Sequence, residues 1–318
     1  SGQEIVSFFD PLGLASPAGL VSAALVLAVG GLLIVRMASA RGLSDYGQLF
    51  RASAGPRFGA AADVVVSTFL FLTLAVTLAG GAAILHQSYD VAGVISLGIT
   101  CLGGCLLVAG GPSRLFAVNS LLVPPLVAVL LAVISLPSSH SAHAPPPSTH
   151  GCLTAAASGC LYGAYNLILA AGILVAGARY RGKAAALIGA PAGAVTLSWL
   201  AARVLAACRL AGPEVLHAQI PVAALAALGP PGAVHLYAAV LGLAVLTTAG
   251  CVAVSLAERC RFGRLLGRPA LGPPLLILAA GPLATWGFAR LVRTVYPAMG
   301  LLGLCWLAVL VIEPFGQE

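Results

Sequence analysis

The first residues that could do chemistry form a polar group at the beginning of the sequence. Ser1, Gly2, Gln3 and Glu4 stand directly before a short apolar stretch, residues 5–9. A glycine among polar side chains is typical of unwound backbone, which a membrane tolerates where that backbone lines a cavity. The amide, the carboxylate and the free backbone groups could bind a small polar solute there. The alternative is that Glu4 is an ordinary solvent-exposed residue near a chain end.

A second polar group interrupts a long apolar run in the second half of the sequence. Tyr162, Tyr165 and Asn166 are spaced to share one face of a helix. Gly159 and Gly163 have the spacing of closely packed membrane helices. Because the run is longer than one membrane span requires, it predicts a helix that is broken near Gly159–Gly163. The residues predicted to contact a solute at this break are Tyr162, Gly163, Tyr165 and Asn166. The alternative is a glycine-mediated helix contact with two interfacial tyrosines.

A third candidate is the pair Thr247 and Thr248, in the middle of another apolar run. Threonine hydroxyls are hard, neutral oxygen ligands, so the pair could bind a small cation. The alternative is that each hydroxyl bonds its own helix backbone four residues earlier. Glu4 offers a different kind of ion coupling because it can titrate. We therefore expect an ion site at Glu4, Thr247 and Thr248, with sodium or a proton as the coupling ion.

The sequence carries no pattern typical of an enzyme. It contains no HExxH, no GxSxG and no nucleotide-binding motif, and Cys101 and Cys105 lie one helical turn apart without a histidine or acidic partner nearby. We expect no catalytic residue, no cofactor, no structural disulfide and no metal beyond a possible sodium ion. The histidines all fall in predicted loops or near helix ends: His86, His140, His143, His150, His217 and His235.

The elements that must position these residues are membrane helices. Of the 318 residues, 60% are hydrophobic and 8% are charged, and the mean hydropathy is +1.03. A soluble chain has roughly a quarter of its residues charged. Apolar runs of about twenty residues fit helices, whereas strands of a membrane barrel would alternate apolar and polar residues. The lipid bilayer is therefore the expected partner.

Nine apolar segments are long enough to be spans or most of one. They cover residues 18–37, 61–85, 91–110, 115–136, 152–178, 184–207, 233–257, 273–289 and 295–312. Residues 5–9 are interpreted as the second half of a first helix whose beginning precedes Ser1, which gives about ten helices, the first truncated. Residues 212–232 are too interrupted to span and predict an external loop with a short helix lying over the bundle.

The net charge of +7 indicates topology and not nucleic-acid binding, because the basic residues lie in short loops between apolar runs. Both termini are expected in the cytoplasm of a plasma membrane, expected to be bacterial, and residues 137–150, without Lys or Arg, outside. On this topology 12 of the 16 basic residues are cytoplasmic: Arg36, Arg41, Arg51, Arg57, Arg114, Arg179, Arg181, Lys183, Arg259, Arg261, Arg264 and Arg268.

Several stretches together resemble a known family. SGQEIVSFF resembles the start of the YkvI-type membrane proteins, which belong with the amino acid–polyamine–organocation (APC) transporter superfamily. LYGAYNLILAAGILV looks like the sixth helix of that family, VHLYAAVLGLAVLTTAG resembles its eighth, and WGFARLVRTVYPAMGLLGL its ninth-to-tenth stretch. The resemblance implies one all-α transmembrane transporter domain, residues 1–318, with the LeuT-like five-plus-five inverted repeat. Residues 1–136 and 151–313 would be its two repeats.

The resemblance also implies roles for the candidate residues. It places residues 1–4 at a break in helix one and residues 162–166 at a break in helix six. In sodium-coupled relatives, adjacent hydroxyl residues on helix eight bind the ion together with helix-one carbonyls, and Thr247 and Thr248 match that pair. The implied function is ion-coupled secondary transport of a small organic solute, such as an amino acid or related zwitterion, by alternating access. The alternative is a non-transporting receptor or scaffold on the same fold; neither interpretation fixes an oligomeric state.

Overall fold

The computed structural model describes residues 2–43, 46–136, 151–180, 183–260 and 267–312, and within these ranges the chain is helical without a strand. A 3-10 turn at Asp10–Ala15 joins the first two helices. Among these described residues the α-helices are α1 Gln3–Phe9, α2 Ser16–Arg41, α3 Tyr46–Tyr89, α4 Gly93–Ala109, α5 Gly111–Ile134, α6 Cys152–Tyr180, α7 Lys183–Ala211, α8 Pro213–His217, α9 Pro221–Ala227, α10 Ala233–Cys260, α11 Gly272–Ala284 and α12 Phe288–Ile312.

The helices confirm an all-α, multi-pass membrane protein. In the described part of the chain, six helical stretches are long and apolar enough to cross a membrane, and α4, the second part of α5 and α11 are shorter apolar helices. Eight of the nine predicted apolar segments each fall on one of these helices, and the segment 273–289 covers α11 and the first residues of α12. Residues 5–9 lie in α1, a helix of seven residues. The predicted external loop 212–232 contains two short helices, α8 and α9, where one was expected.

The chain divides into two compact units that each draw on both halves of the sequence. The first contains residues 1–6, 70–144 and 203–293, and the second contains residues 7–69, 145–202 and 294–318. The predicted repeats, 1–136 and 151–313, concern internal symmetry, whereas this division concerns which residues pack together. The repeats therefore stay a prediction.

In the first unit, small residues let α10 approach its neighbours. A Cβ on Gly250 of α10 would lie 2.8 Å from Leu115 Cδ1 of α5, and one on Gly103 of α4 would lie 3.2 Å from Leu246 Cδ1 of α10. Helices in lipid gain little from hydrophobic exclusion, so close packing at small residues is a main source of their association. Close packing of this kind holds α4, α5 and α11 around α10.

In the second unit, α6 packs along α2, and this contact corrects the prediction of a broken helix six. α6 is one continuous helix of 29 residues, about 43 Å long, and neither Gly159 nor Gly163 has a positive φ. A Cβ on Gly159 would lie 1.8 Å from the carbonyl oxygen of Gly19. The two glycines therefore serve close helix packing, and the excess length of the run is accommodated as unbroken helix.

The sidedness of the helices stays a prediction that labelling can check. With both termini cytoplasmic, Lys183→Cys should react with a membrane-impermeant maleimide only after the membrane is permeabilised. Ser141→Cys, in the predicted external loop outside the described residues, should react in intact cells. The opposite pattern at these two positions would contradict the topology.

Candidate functional site

The polar residues at the start of the chain lead into α1. Gly2 has φ +83°, a left-handed conformation that glycine adopts without strain, and a Cβ there would lie 2.9 Å from Val222 Cγ2. Gly2 accepts a hydrogen bond at its carbonyl from the backbone N–H of Val6, 3.0 Å away. Position 2 therefore requires glycine both for its backbone and for its packing. Ser1 lies outside the described residues.

Gln3 is the most unusual polar side chain in this part of the molecule. It is 4% exposed, and its Oε1 atom is buried with no hydrogen-bond partner among the described residues. A buried acceptor of this kind costs free energy unless a donor reaches it. The neighbouring Glu4 is only partly buried. The first turn of α1 thus carries a buried acceptor, Gln3, beside a carboxylate that is partly accessible.

An aromatic cluster of the second unit surrounds the other end of α1. The ring centroids of Phe8 and Tyr165 are 5.6 Å apart in a stacked pair, and those of Phe9 and Tyr162 are 5.0 Å apart, edge to face. Tyr165 also stacks on Tyr296 of α12, at 4.6 Å. Tyr162 and Tyr165 are both buried. The two tyrosines predicted from the sequence therefore do come together, and they do so against α1.

The remaining residues predicted on α6 are placed differently. Gly163 lies on the face toward α2, where a Cβ would be 2.9 Å from Val26 Cβ. Asn166 is partly buried and donates from Nδ2 to the carbonyl of Tyr162 at 2.9 Å. A hydrogen bond that the sequence did not indicate, from Ser158 Oγ to the Phe8 carbonyl at 2.9 Å, fixes α6 to the end of α1.

Thr247 and Thr248 occupy different environments although they are adjacent. Both hydroxyls donate to the carbonyl of Ala244, at 3.0 and 2.8 Å, as threonines in membrane helices commonly do. Thr247 is fully buried, whereas Thr248 is exposed. Successive residues of a helix point about 100° apart, so the two side chains cannot share one orientation. Each hydroxyl oxygen keeps acceptor capacity.

Thr247 borders a groove whose other described lining residues are apolar. The groove has a volume of about 270 Å³ within the first unit, and α4, α5 and α10 contribute side chains to it. The other residues that line this groove are Gly103, Leu106, Leu107, Val118, Leu243 and Leu246. Thr247 thus contributes the one hydroxyl among these described lining residues.

Sequence reasoning missed a polar face on α10 that includes Thr248. Cys251 is partly exposed and Ser255 exposed, and at 100° per residue both lie within about 60° of Thr248. By the same count the exposed apolar residues Leu236 and Leu243 lie about 120° and 140° from Thr248, and Leu236 lies about 60° from Cys251. The small polar residues therefore form a narrow stripe that borders exposed apolar side chains of the same helix. The spacing of three and four residues between Thr248, Cys251 and Ser255 was the sequence pattern that could have predicted this stripe.

Comparison with known proteins identifies the fold. No protein-family model matches the sequence. A Bacillus subtilis (strain 168) protein described as "Uncharacterized protein YyaD" is 27% identical over 319 residues, covering 99% of this chain and 91% of that protein.

Two solved structures are similar in fold. That of MhsT in complex with L-phenylalanine has a TM-score of 0.67 and 14% identity, over 96% of this chain and 83% of that one. That of the Eremococcus coleocola manganese transporter with an aromatic bis-isothiourea substituted compound has a TM-score of 0.57 and 15% identity, over 96% of this chain and 75% of that one. These similarities confirm the LeuT-like fold.

Proposed function

We propose that this protein is an ion-coupled secondary transporter of a small organic solute, an amino acid or a related zwitterion, that works by alternating access. The buried, unpartnered amide oxygen of Gln3 carries this proposal. It lies in the first turn of a short helix that follows a left-handed glycine, and interrupted helices at membrane depth are where transporters of this architecture bind their cargo. The similarity to MhsT and to a manganese transporter supports transport on this fold.

The chemistry of Gln3 favours an organic solute that carries an N–H or ammonium group. An amide oxygen accepts hydrogen bonds, and a donor on the solute would relieve the cost of leaving this acceptor buried. Glu4, one residue further, adds a carboxylate that attracts a cationic group. A solute with an ammonium group, such as a zwitterion, therefore fits these two side chains.

We infer further that the chain is related to the YkvI-type proteins and through them to the APC superfamily. The motif SGQEIVSFF and the tyrosine-containing segment of α6 support this relationship, as does the similarity to a Bacillus protein along nearly the whole chain. The protein would then be a resident of a bacterial plasma membrane with both termini in the cytoplasm.

A binding screen followed by an uptake assay tests the proposed function. Purified full-length protein is heated with amino acids, amines and carboxylates, with and without sodium; a ligand that binds the folded state raises its apparent stability by mass action. The solute that gives the largest shift is then offered to proteoliposomes. We expect accumulation that depends on an ion gradient. Binding without uptake would support the receptor alternative, and the absence of both would contradict the proposal.

The coupling ion is tested by treating the two threonines separately. If sodium binds at α10, Thr248→Ala should raise the sodium concentration for half-maximal uptake about fivefold, because it removes one ligand worth roughly 1 kcal/mol. Thr247→Ala is the matched control, since that adjacent side chain is fully buried whereas Thr248 is exposed. It should change protein stability more than sodium dependence.

The alternative mechanism is proton coupling, in which the Glu4 carboxylate carries the coupling proton. Uptake should be measured against sodium at fixed pH, and against pH without sodium. Uptake that ignores sodium and survives both threonine substitutions, yet disappears in Glu4→Gln, would replace sodium coupling by proton coupling. If Glu4→Gln keeps sodium-driven uptake, Glu4 contributes to structure and not to coupling.

A further inference from the structure

The segment with α8 and α9 is far more buried than an external loop needs to be. Val215 is 4% exposed, Ile220 is 0%, Val222 is 1% and Leu225 is 2%. The sequence predicts this segment on the external side, and residues 203–293 all belong to the first unit. An apolar segment that is so fully buried must cover other parts of that unit.

Gln87, near the end of α3 that is predicted to be external, holds this segment through two hydrogen bonds. Its Nε2 donates to the carbonyl of Ile220 at 3.2 Å, and the backbone N–H of Ile220 donates to its Oε1 at 3.0 Å. Ile220 lies between α8 and α9, where no helix pairs its N–H group. Its Oε1 thus satisfies the backbone N–H of Ile220, while the Ile220 carbonyl also accepts from the N–H groups of Ala223 and Ala224 at 3.0 and 3.1 Å.

Tyr89, two residues after Gln87, makes a second contact between the end of α3 and another part of the first unit. The hydroxyl of Tyr89 donates to the carbonyl of His235 at 3.2 Å, and the two rings stack with centroids 5.1 Å apart. This contact ties the end of α3 to the beginning of α10. Gln87 therefore lies beside a second contact that joins α3 to this part of the first unit.

The held segment presses directly on the beginning of the chain. Directly after Ile220, Pro221 and Val222 lie against Gly2, since a Cβ on Gly2 would be 3.6 Å from Pro221 Cβ and 2.9 Å from Val222 Cγ2. Gly2 adjoins Gln3, whose acceptor is buried and unpartnered. A continuous series of contacts therefore connects the Gln87 amide with the candidate solute-binding residues, all of it within the first unit.

We propose that Gln87 is a positioning residue whose amide holds residues 213–227 as a cap over Gly2 and Gln3, and that releasing this amide opens those two residues to the external solution. The role of the cap in a transport cycle rests on the proposed function. The cap itself is a property of the folded chain and is measured without transport.

Hydrogen exchange on the full-length protein in lipid nanodiscs tests the cap. In Gln87→Ala, the amide of Ile220 and those of α9 should exchange about tenfold faster or more, as the loss of hydrogen bonds raises the open population. Gln219→Ala is the matched control, because Gln219 is exposed and directly precedes Ile220. It should leave exchange unchanged. Gln87→Glu, which keeps the acceptor and loses the donor, should be intermediate.

A second readout reports the opening directly. Val222→Cys, in a variant without other accessible cysteines, should react slowly with an external impermeant maleimide and about tenfold faster when Gln87→Ala is added. Equal rates in the Gln87→Ala and Gln219→Ala backgrounds, in both assays, would overturn the cap. If Gln87→Ala changes both rates while the unmodified protein transports nothing, the cap stands and the proposed function fails.

Discussion

Gly159→Ala is expected to leave the protein unable to form a stable fold in the membrane. The added Cβ would lie 1.8 Å from the carbonyl oxygen of Gly19 and 2.6 Å from its carbonyl carbon. Both are backbone atoms, so no side-chain rotation can relieve the overlap, and α2 and α6 would have to separate along their contact. Overpacking costs about 1–3 kcal/mol where side chains can adjust, and here the cost should reach or exceed the top of that range.

The measurement is the amount of monodisperse protein after extraction, followed by its thermal unfolding in detergent. Gly177→Ala on the same helix is the control, since a Cβ there meets nothing within 4 Å. Alanine is a better helix former than glycine by about 1 kcal/mol, so this control should be neutral or slightly stabilising. A Gly159→Ala protein as stable as the control would contradict the close packing of α2 on α6.

The contrast between these glycines explains what the sequence could predict. Hydropathy depends on each segment alone, and it located the membrane helices to within a few residues at most ends. The function of Gly159 depends on Gly19, which lies far away in the sequence and next to it in the fold. Because a glycine pair suits a helix break as well as a tight contact, the sequence allowed both, and the break it favoured was wrong.

The candidate site shows the same limit at single side chains. The prediction that Tyr162 and Tyr165 share one face of a helix was correct, because helical periodicity determines which residues of one helix lie together. It could not separate Thr247 from Thr248, since the neighbours α4 and α5 decide which of them is buried. It also could not show that Gln87 reaches Ile220, as a hydrogen bond between distant segments leaves no local pattern.

Gln3→Leu is expected to change solute affinity and protein stability in opposite directions. Leucine is similar in size to glutamine and has no acceptor to leave buried. Replacing an unpartnered polar group by an apolar one of similar shape is neutral or stabilising, so without solute the variant should unfold at the same temperature or a higher one. The solute would lose its hydrogen bond to Oε1, and its affinity should fall about 10- to 100-fold, which corresponds to about 1–3 kcal/mol.

The opposite signs separate a binding role of Gln3 from a structural one. Thermal unfolding without solute gives the stability, and titration with the solute found in the screen gives the dissociation constant. Gln219→Leu, at an exposed position, is the control and should change neither quantity. If Gln3→Leu lowers stability and leaves affinity intact, the amide is a structural group, and the solute must bind elsewhere in the protein. If stability holds and affinity falls, the buried acceptor of Gln3 is explained by the solute that it binds.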